Sequence, residues 1–436
     1  MNSPDKLEAL VVGKLTRRLM PVLFFLYVVA YLDRINIGFA ALEMQQQLHL
    51  SNASYGLGAG IFFAGYVVFQ LPSNLTLERV GARRWIALLM VLWGIISSSM
   101  IFVRLPWHLY TLRFLLGSAE AGFFPGIILY LKNWFPISAR ARTMAAFAAA
   151  GPMSAVIGGP VSGTSLHLHH AELAGWQWLF LIEGVPAILL GVAVLFYLTD
   201  TPEKADWLPV LWRTWLIDRL RSEHVHSETR SETGTRHVFT SLDVWLMVCV
   251  YFGVNSAGYG ITFWLPSVIR SLSGVGTIAI GFLSAVPYAA ALVVMVLVGA
   301  HADKSGEHRW HTAGPAFVGA VALVFAAHSG SVGPMVAAIS VAVVSGFSMM
   351  GPFWTMSTTI QPRHAAAVIA LINSIGNLGG LLGSYAIGAL GNAGNGFRTG
   401  IKSVGIGLGL AGCLVLLVRA EARNRQQPRV EREAPA

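Results

Sequence analysis

Four ionisable side chains stand inside apolar sequence, and they are the groups that could do chemistry. Asp33 and Arg34 interrupt Y31-L-D-R-I-N-I-G-F-A40, directly after the apolar run P21-V-L-F-F-L-Y-V-V-A30. Arg113 and Glu120 lie in R113-F-L-L-G-S-A-E-A-G-F-F-P-G126, seven positions apart and so about two turns along one helix face. Glu183 is a further embedded acid, read as a structural cap or a gate, and Glu43 stands near the edge of the first apolar segment. From Val244 to Ala302 and from Arg309 to Ala420 there is no Asp or Glu, so the titratable chemistry belongs to the N-terminal half. An ionised group at a bilayer centre costs roughly 2.5–3.5 kcal/mol on the lenient insertion scale, hence about 10 kcal/mol for four unless they pair or meet water. Adjacent residues on a helix diverge by about 100°, so Asp33 and Arg34 can both face inward only within a bundle. Two readings follow. The four groups form a static ion-pair network between two helices, or they change partners during a working cycle. Buried pairs seldom offset their own desolvation, which favours the second. With all four ionised the cluster is neutral; one proton admits a monoanion and two admit a dianion.

The elements that must position these groups are membrane helices. The chain has 436 residues, 55% hydrophobic and 12% charged, with mean hydropathy +0.61. An ordinary soluble domain carries about 25% charged residues. A membrane-crossing helix needs about 20 mostly apolar residues, and roughly twelve segments qualify, at about 18–42, 53–77, 84–104, 107–131, 141–165, 176–199, 241–268, 276–300, 311–329, 332–356, 364–390 and 397–419. The expected fold class is an all-α membrane protein with twelve transmembrane helices. A polar stretch over about 200–240 divides them six and six. The expected units are an N-terminal half (1–199), a cytoplasmic linker (200–240), a C-terminal half (241–420) and a basic cytoplasmic tail (421–436). Inside the linker, W207-L-P-V-L-W-R-T-W-L-I-D-R-L220 has the spacing of an interfacial helix with Arg213 and Arg219 toward headgroups. The residues from Arg221 to Thr240 read as a flexible connector.

A formal net charge of +9 raises nucleic acid as a partner, but the placement of the charges excludes it. With the N-terminus in the cytoplasm, the inner side holds Lys14, Arg17, Arg18, Arg79, Arg83, Arg84, Lys132, Arg140, Arg142, Lys304, Arg309 and Arg363, against Arg104, Arg270, Arg398 and Lys402 outside. That asymmetry is the positive-inside pattern, and it places both termini in the cytoplasm. Cys249 and Cys413 both fall in apolar spans, which argues against a disulfide framework or a zinc site. H167-L-H-H170 lacks an accompanying carboxylate or cysteine array, so no metal is expected there. The glycine-rich stretches carry no P-loop lysine, leaving ATP-driven transport without support. Trp176 and Trp178 read as an aromatic belt at the membrane boundary. No nucleophile–base pair reaches the apolar interior, so the chain does not read as an enzyme.

The two halves echo one another. L75-T-L-E-R-V-G-A-R-R84 after the second span and G299-A-H-A-D-K-S-G-E-H-R309 after the eighth share acid–base–x–Gly–x–x–Arg: Glu78, Arg79, Gly81 and Arg84 against Asp303, Lys304, Gly306 and Arg309. Either loop alone could be a solvated turn. The small-residue runs G151-P-M-S-A-V-I-G-G-P-V-S-G163 and N373-S-I-G-N-L-G-G-L-L-G-S384 form a second echo, of the kind that lets helices approach closely. Both echoes at equivalent places favour a duplicated transporter whose halves rock about a central site.

These features resemble the major facilitator superfamily over essentially the whole chain. More narrowly they resemble its anion:cation symporter family, the bacterial permeases for tartrate, phthalate, hydroxyphenylacetate and sugar acids. The carrying stretches are the two quoted at the outset, with L71-P-S-N-L-T-L-E-R-V-G-A-R-R-W85, G175-W-Q-W-L-F-L-I-E-G-V-P186 and G351-P-F-W354. The resemblance implies the major facilitator fold and uptake of a small organic anion driven by a proton gradient, without a cofactor. It implies Arg34 as the direct partner of a substrate carboxylate, a role that suits its planar fork. It implies Asp33 and Glu120 as proton-binding carboxylates, with Arg113 pairing whichever is ionised. Tyr31 and Tyr66 become cavity liners or aromatic packing. Asn373 and Asn377, four apart on one helix face, become substrate contacts or helix–helix hydrogen bonds. Trp354 either stacks on a planar substrate or fills the core. The two echoed loops become gates, to which His301 beside Asp303 also belongs. Two departures stand out: Glu78 occupies a position where the superfamily usually has Asp, and Gly151-Pro152 replaces the polar contact of a sugar-acid permease.

The expectation is a monomeric proton symporter of the cell inner membrane, importing a tartrate-like or aromatic carboxylate. An organic anion exchanger or uniporter is the near alternative. A membrane sensor that binds ligand and signals is the alternative of another class, and it would need a folded output region.

Overall fold

The structure, a computed structural model, describes residues 4–170, 172–228, 236–361, 364–391 and 396–419. Among them there is no strand. Among the described residues twelve helical spans are long and apolar enough to cross a membrane: Lys6–Gln47, Asn52–Val80, Ala82–Phe102, Pro106–Trp134, Ile137–Ser165, Gly175–Tyr197, Leu242–Ser273, Thr277–Ser305, Arg309–His328, Val332–Ile360, Ala367–Gly391 and Arg398–Leu417. The first begins well before the apolar run, because Val11, Leu15, Leu19 and Leu23 recur every fourth residue and are buried. That stripe keeps the helix packed against its neighbours after the hydropathy signal has ended. The span breaks once, at Asn36, between a helix over Pro4–Ile35 and another over Ile37–Gln47.

Packing within the halves repeats. The third span lies on the sixth as the ninth lies on the twelfth, the second on the fourth as the eighth on the tenth, and the first on the fifth as the seventh on the eleventh. Across the halves the second span meets the eleventh and the fifth meets the eighth. Exchanging the halves turns each of these two contacts into the other. The duplication expected from two loops is thus carried by the whole helix arrangement.

Glycine explains two of these features. Gly81 and Gly306, the shared glycines of the echoed loops, have φ of 88° and 63°, a backbone region that a side chain strains. Each lets the chain reverse between consecutive spans. At the crossing of the fifth and eighth spans, a Cβ on Gly159 would stand 2.4 Å from the Gly281 carbonyl oxygen, and one on Gly281 would stand 2.3 Å from that of Gly159. The two backbones touch directly.

The linker lies on the same face of the bundle as Gly81 and Gly306, here called the linker face; the opposite one is the far face. The linker helix runs Val210–Glu228, and its Leu216 and Leu220 are buried. Arg140 reaches Glu223 at 3.2 Å, Trp207 stacks on Trp134, and Arg18 lies over the Trp207 ring. The segment is therefore docked on the N-terminal half. Arg213 and Arg219 have acidic partners, Asp206 and Glu223. The connector expected over 221–240 is helical through Glu228 and again over Arg236–Thr240. Residues 229–235 of that connector, Arg363 and the tail over 421–436 lie outside the described residues.

Candidate functional site

Arg34 occupies the centre of the bundle. Its Nη2 and Nε donate to one oxygen of Glu120, Oε2, at 2.8 and 3.1 Å. Its Nη1 donates to the hydroxyl of Tyr259 at 3.2 Å. Glu120 comes from the fourth span and Tyr259 from the seventh, so one guanidinium joins the two halves. Glu120 is 1% exposed and Arg34 13%; the arginine is the wetter partner. Phe62, Tyr66 and Tyr31 place their rings 5.1, 5.5 and 5.7 Å from the guanidinium carbon. An aromatic wall around a cation adds quadrupole attraction and keeps the local dielectric low. The second oxygen of Glu120, Oε1, is buried with no partner.

Asp33 points away from this pair. Its Oδ1 accepts from Ser97 at 2.6 Å and from the Asn36 amide at 3.4 Å, and Oδ2 has no partner. The 100° divergence of neighbouring residues is thus realised inside the bundle. Arg113 is fully buried, yet it makes no ion pair within 4 Å among the described residues. Its Nη2 donates to the Ala59 and Arg34 carbonyls at 3.2 and 3.5 Å, and it lies over the rings of Phe62 and Phe263. Nε and Nη1 are unpartnered. In this state the ion pair of the cluster belongs to Arg34 and Glu120, while Arg113 and Asp33 are each held by neutral groups.

The C-terminal candidates sit apart from the arginine. Asn377 donates to Asn373 at 3.1 Å, so the two amides hold one another. Trp354 packs edge-on against Tyr251 and Phe353. The loop residues Glu78, Arg79, Arg84, Asp303 and Lys304 are exposed and Arg309 half-buried, and among the described residues none of them makes an ion pair within 4 Å. The charged contact of the first loop is made instead by Arg83, to Asp200 at 3.2 Å. In the second, His301 meets His311 at 2.7 Å, and His311 meets Glu307 at 3.1 Å. Burial raises the carboxyl of Glu307, but the Trp310 backbone N–H and His311 outweigh that and hold it below the usual range.

Sequence reasoning missed Tyr259, Ser97 and Asn36. Tyr259 stands between two glycines in G258-Y-G260, a small-residue setting that exposes a hydroxyl to the bundle centre. Ser97 opens a serine triplet in an apolar span, and Asn36 lies one turn after Asp33. Trp176 is a correction: it is 2% exposed and its indole N–H donates to Gln47 at 2.6 Å. A satisfied indole is packed into the core, not set in a boundary belt.

The far face is sealed by contacts between the halves. Tyr55 donates across the halves to the Phe263 carbonyl at 3.0 Å and to Ile37 of its own half at 3.1 Å, Arg270 donates to Leu42 at 2.8 Å, and Thr277 meets His167 at 2.9 Å. Toward the linker face the cross-half hydrogen bond is Ser374 to Gln70 at 2.8 Å. Three of the five cross-half hydrogen bonds among the described residues therefore lie on the far side of Arg34.

A family model described as Major Facilitator Superfamily matches residues 23–384. The chain is 46% identical over 420 residues to a protein named "Putative tartrate transporter" from Agrobacterium vitis, covering 96% of this chain and 93% of that one. It is 35% identical over 427 residues to a "Quinolone resistance transporter" from Acinetobacter baumannii, covering 98% of each. The fold is shared with a bacterial homologue of the human lysosomal transporter Spinster, at TM-score 0.78 and 18% identity over 94% of this chain and 98% of that one.

Proposed function

The chain belongs to the Major Facilitator Superfamily, and from that premise we propose that it imports a small organic carboxylate together with protons. It is a membrane transporter and not an enzyme. One observation carries the reading: the cationic group that could bind a carboxylate is already engaged by a carboxylate of the protein. Arg34 has two of its donors on Glu120. A substrate anion that claims those donors leaves Glu120 ionised, buried and unpaired, a state that costs several kcal/mol. A proton on Glu120 removes the penalty and frees the guanidinium for a charge-assisted bond to substrate. Proton and anion then bind together. Charge balance agrees, since a protonated Glu120 leaves one cationic charge for one carboxylate.

Tyr259 gives the C-terminal half its share in the site. Its hydroxyl senses whether Arg34 is turned toward Glu120 or toward cargo. Asn373, Asn377 and Trp354 belong to the same reading as contacts recruited when the halves close. The echoed loops would act as gates on the cytoplasmic side, in a protein of the inner membrane with both termini inside. The name of the Agrobacterium vitis relative directs the first substrate trial to tartrate, and the aromatic wall around Arg34 adds planar aromatic acids to the panel.

The test is reconstitution of the full chain into liposomes with an inward acidic gradient. Accumulation of tartrate or an aromatic acid, abolished by a protonophore, supports symport. Uptake that needs a counter-anion inside and ignores the gradient would replace symport with exchange. Transport of a quinolone and of no carboxylate would overturn the substrate class.

A further inference from the structure

A second polar cluster lies beside the Arg34–Glu120 pair and contains no cation. Glu183 of the sixth span is 4% exposed. Its Oε1 accepts from Ser162 of the fifth span at 2.8 Å, and its Oε2 is buried with no partner. Asn36, at the break in the first span, interacts with both Glu183 and Asp33. Its amide nitrogen donates to Asp33, and its Oδ1 is buried and unpartnered. Asp33 Oδ2 is in the same condition.

Counting donors against acceptors decides what is missing. Asp33, Asn36 and Glu183 present five acceptor oxygens. Ser97, Ser162 and the Asn36 amide serve two of them, Asp33 Oδ1 and Glu183 Oε1. Three acceptors remain orphaned. Among the described residues a further donor beside Asp33 is the Trp93 indole N–H, which is directed at that carboxylate without reaching a close hydrogen bond. Orphaned buried oxygens are destabilising, and ionised ones far more so. A hydroxyl hydrogen would supply a donor and remove a charge at once, and it needs no room in a packed core.

We propose that Glu183, bridged by Asn36 to Asp33, is a second proton-binding position of the transport cycle, separate from the one on Glu120. The proton adds to the free carboxylate oxygen of Glu183, and its O–H donates into the cluster where Asn36 Oδ1 lacks a partner. The idea rests on the symport reading for its role in the cycle, though the protonation itself does not. The charged and titratable surroundings are few. Asp33 is the group facing Glu183 from the first span; Glu43 and His169 lie farther out, against Trp176 and one another. Asp33 in turn feels Glu120 and Arg113. The third and fifth spans contribute serines and Trp93 here, their arginines being at the linker face. Asn36 sits where the first span breaks, two residues from Arg34. A shift of Arg34 from Glu120 to substrate would therefore be transmitted to the bridge.

Two measurements on reconstituted full-length protein test this. In the first, proton influx per anion is counted with an internal pH dye alongside radiolabelled tartrate. Glu183→Gln is expected to lower the ratio by one proton, which reduces equilibrium accumulation tenfold for each pH unit of gradient. Glu183→Asp is expected to restore the ratio. In the second, infrared difference spectra between acid and neutral pH should show a protonated carboxyl band that Glu183→Gln abolishes. A missing band in the variant supports the site even if the wild type transports no anion with protons, so the two ideas can fail separately. An unchanged ratio together with an unchanged carboxyl band would overturn the proposal.

Discussion

The two halves share a fold and differ in what they bury. The N-terminal half encloses Asp33, Arg34, Arg113, Glu120 and Glu183. At matching depth the C-terminal half encloses Asn255, Ser256, Ser284, Ser345 and Asn377, all neutral. Asn255 donates to the Gly376 carbonyl and Asn377 to Asn373, so the two amides are held locally, while the Ser284 hydroxyl is buried without a partner. The difference teaches a division of labour within a duplicated scaffold. One half stores charge that must be neutralised or exchanged. The other presents a neutral surface that can move past it, touching the charged set through Tyr259 and Phe263. A neutral partner eases the motion, because among the described residues no ion pair across the halves has to be broken as they separate.

The sharpest way to break this comparison is to take the charge out of the N-terminal half. Arg34→Ala strands Glu120 and removes the anion-binding group, and a broken buried pair is worth about 3–5 kcal/mol. Substrate affinity is expected to fall at least about a hundredfold, measured by ligand-dependent thermal shift and by uptake. Glu120→Gln addresses coupling alone. Proton-driven accumulation should be lost while counterflow of labelled substrate continues, and normal accumulation by the variant would remove Glu120 from the coupling role.

The contribution of the neutral half is tested next. Tyr259→Phe deletes one hydrogen bond to a charged group, worth roughly 1.5–3 kcal/mol at most. We expect about a tenfold loss of affinity with the proton-to-anion ratio unchanged. If Tyr259→Phe were as damaging as Arg34→Ala, the assignment of chemistry to one half would be wrong. The smallest effect is expected at the surface. Glu307 accepts from the Trp310 backbone N–H at 2.9 Å at the start of the ninth span, and Glu307→Gln, which keeps an acceptor but removes the charge at the helix N-terminus, should lower stability by roughly 0.3–1 kcal/mol. Its carboxyl is held below the ordinary value, chiefly against burial by that N–H and by His311. The stabilisation is thus present above the ordinary carboxyl range and disappears as pH falls through the lowered folded value. Melting curves of variant and wild type should converge in acid.

The sequence revealed those properties that depend on composition and on local spacing. Twelve spans, six and six, and the charged cluster on the first and fourth all follow from where apolar runs start and where charges interrupt them. Partner choice did not follow. Arg113, two turns from Glu120 on the same helix, was the natural ion-pair candidate, yet the pair formed is between spans, from Arg34. Such choices depend on helix rotation, which shifts with the packing of every neighbour and leaves no local trace. Tyr259 and Asn36 were missed for the same reason. A tyrosine or an asparagine in a membrane helix has many uses, and what selects among them is a residue more than two hundred positions away or a break in the helix.

The crossing of Gly159 and Gly281 has a mechanical consequence. At the point where the two helices meet through bare backbone no side chains interlock, so there they can swivel without any rotamer having to hop. Such a joint behaves as a smooth bearing. The resistance to opening should then reside in the far-face hydrogen bonds of Tyr55, Arg270 and Thr277, and loosening these would speed the cycle more than enlarging either glycine could.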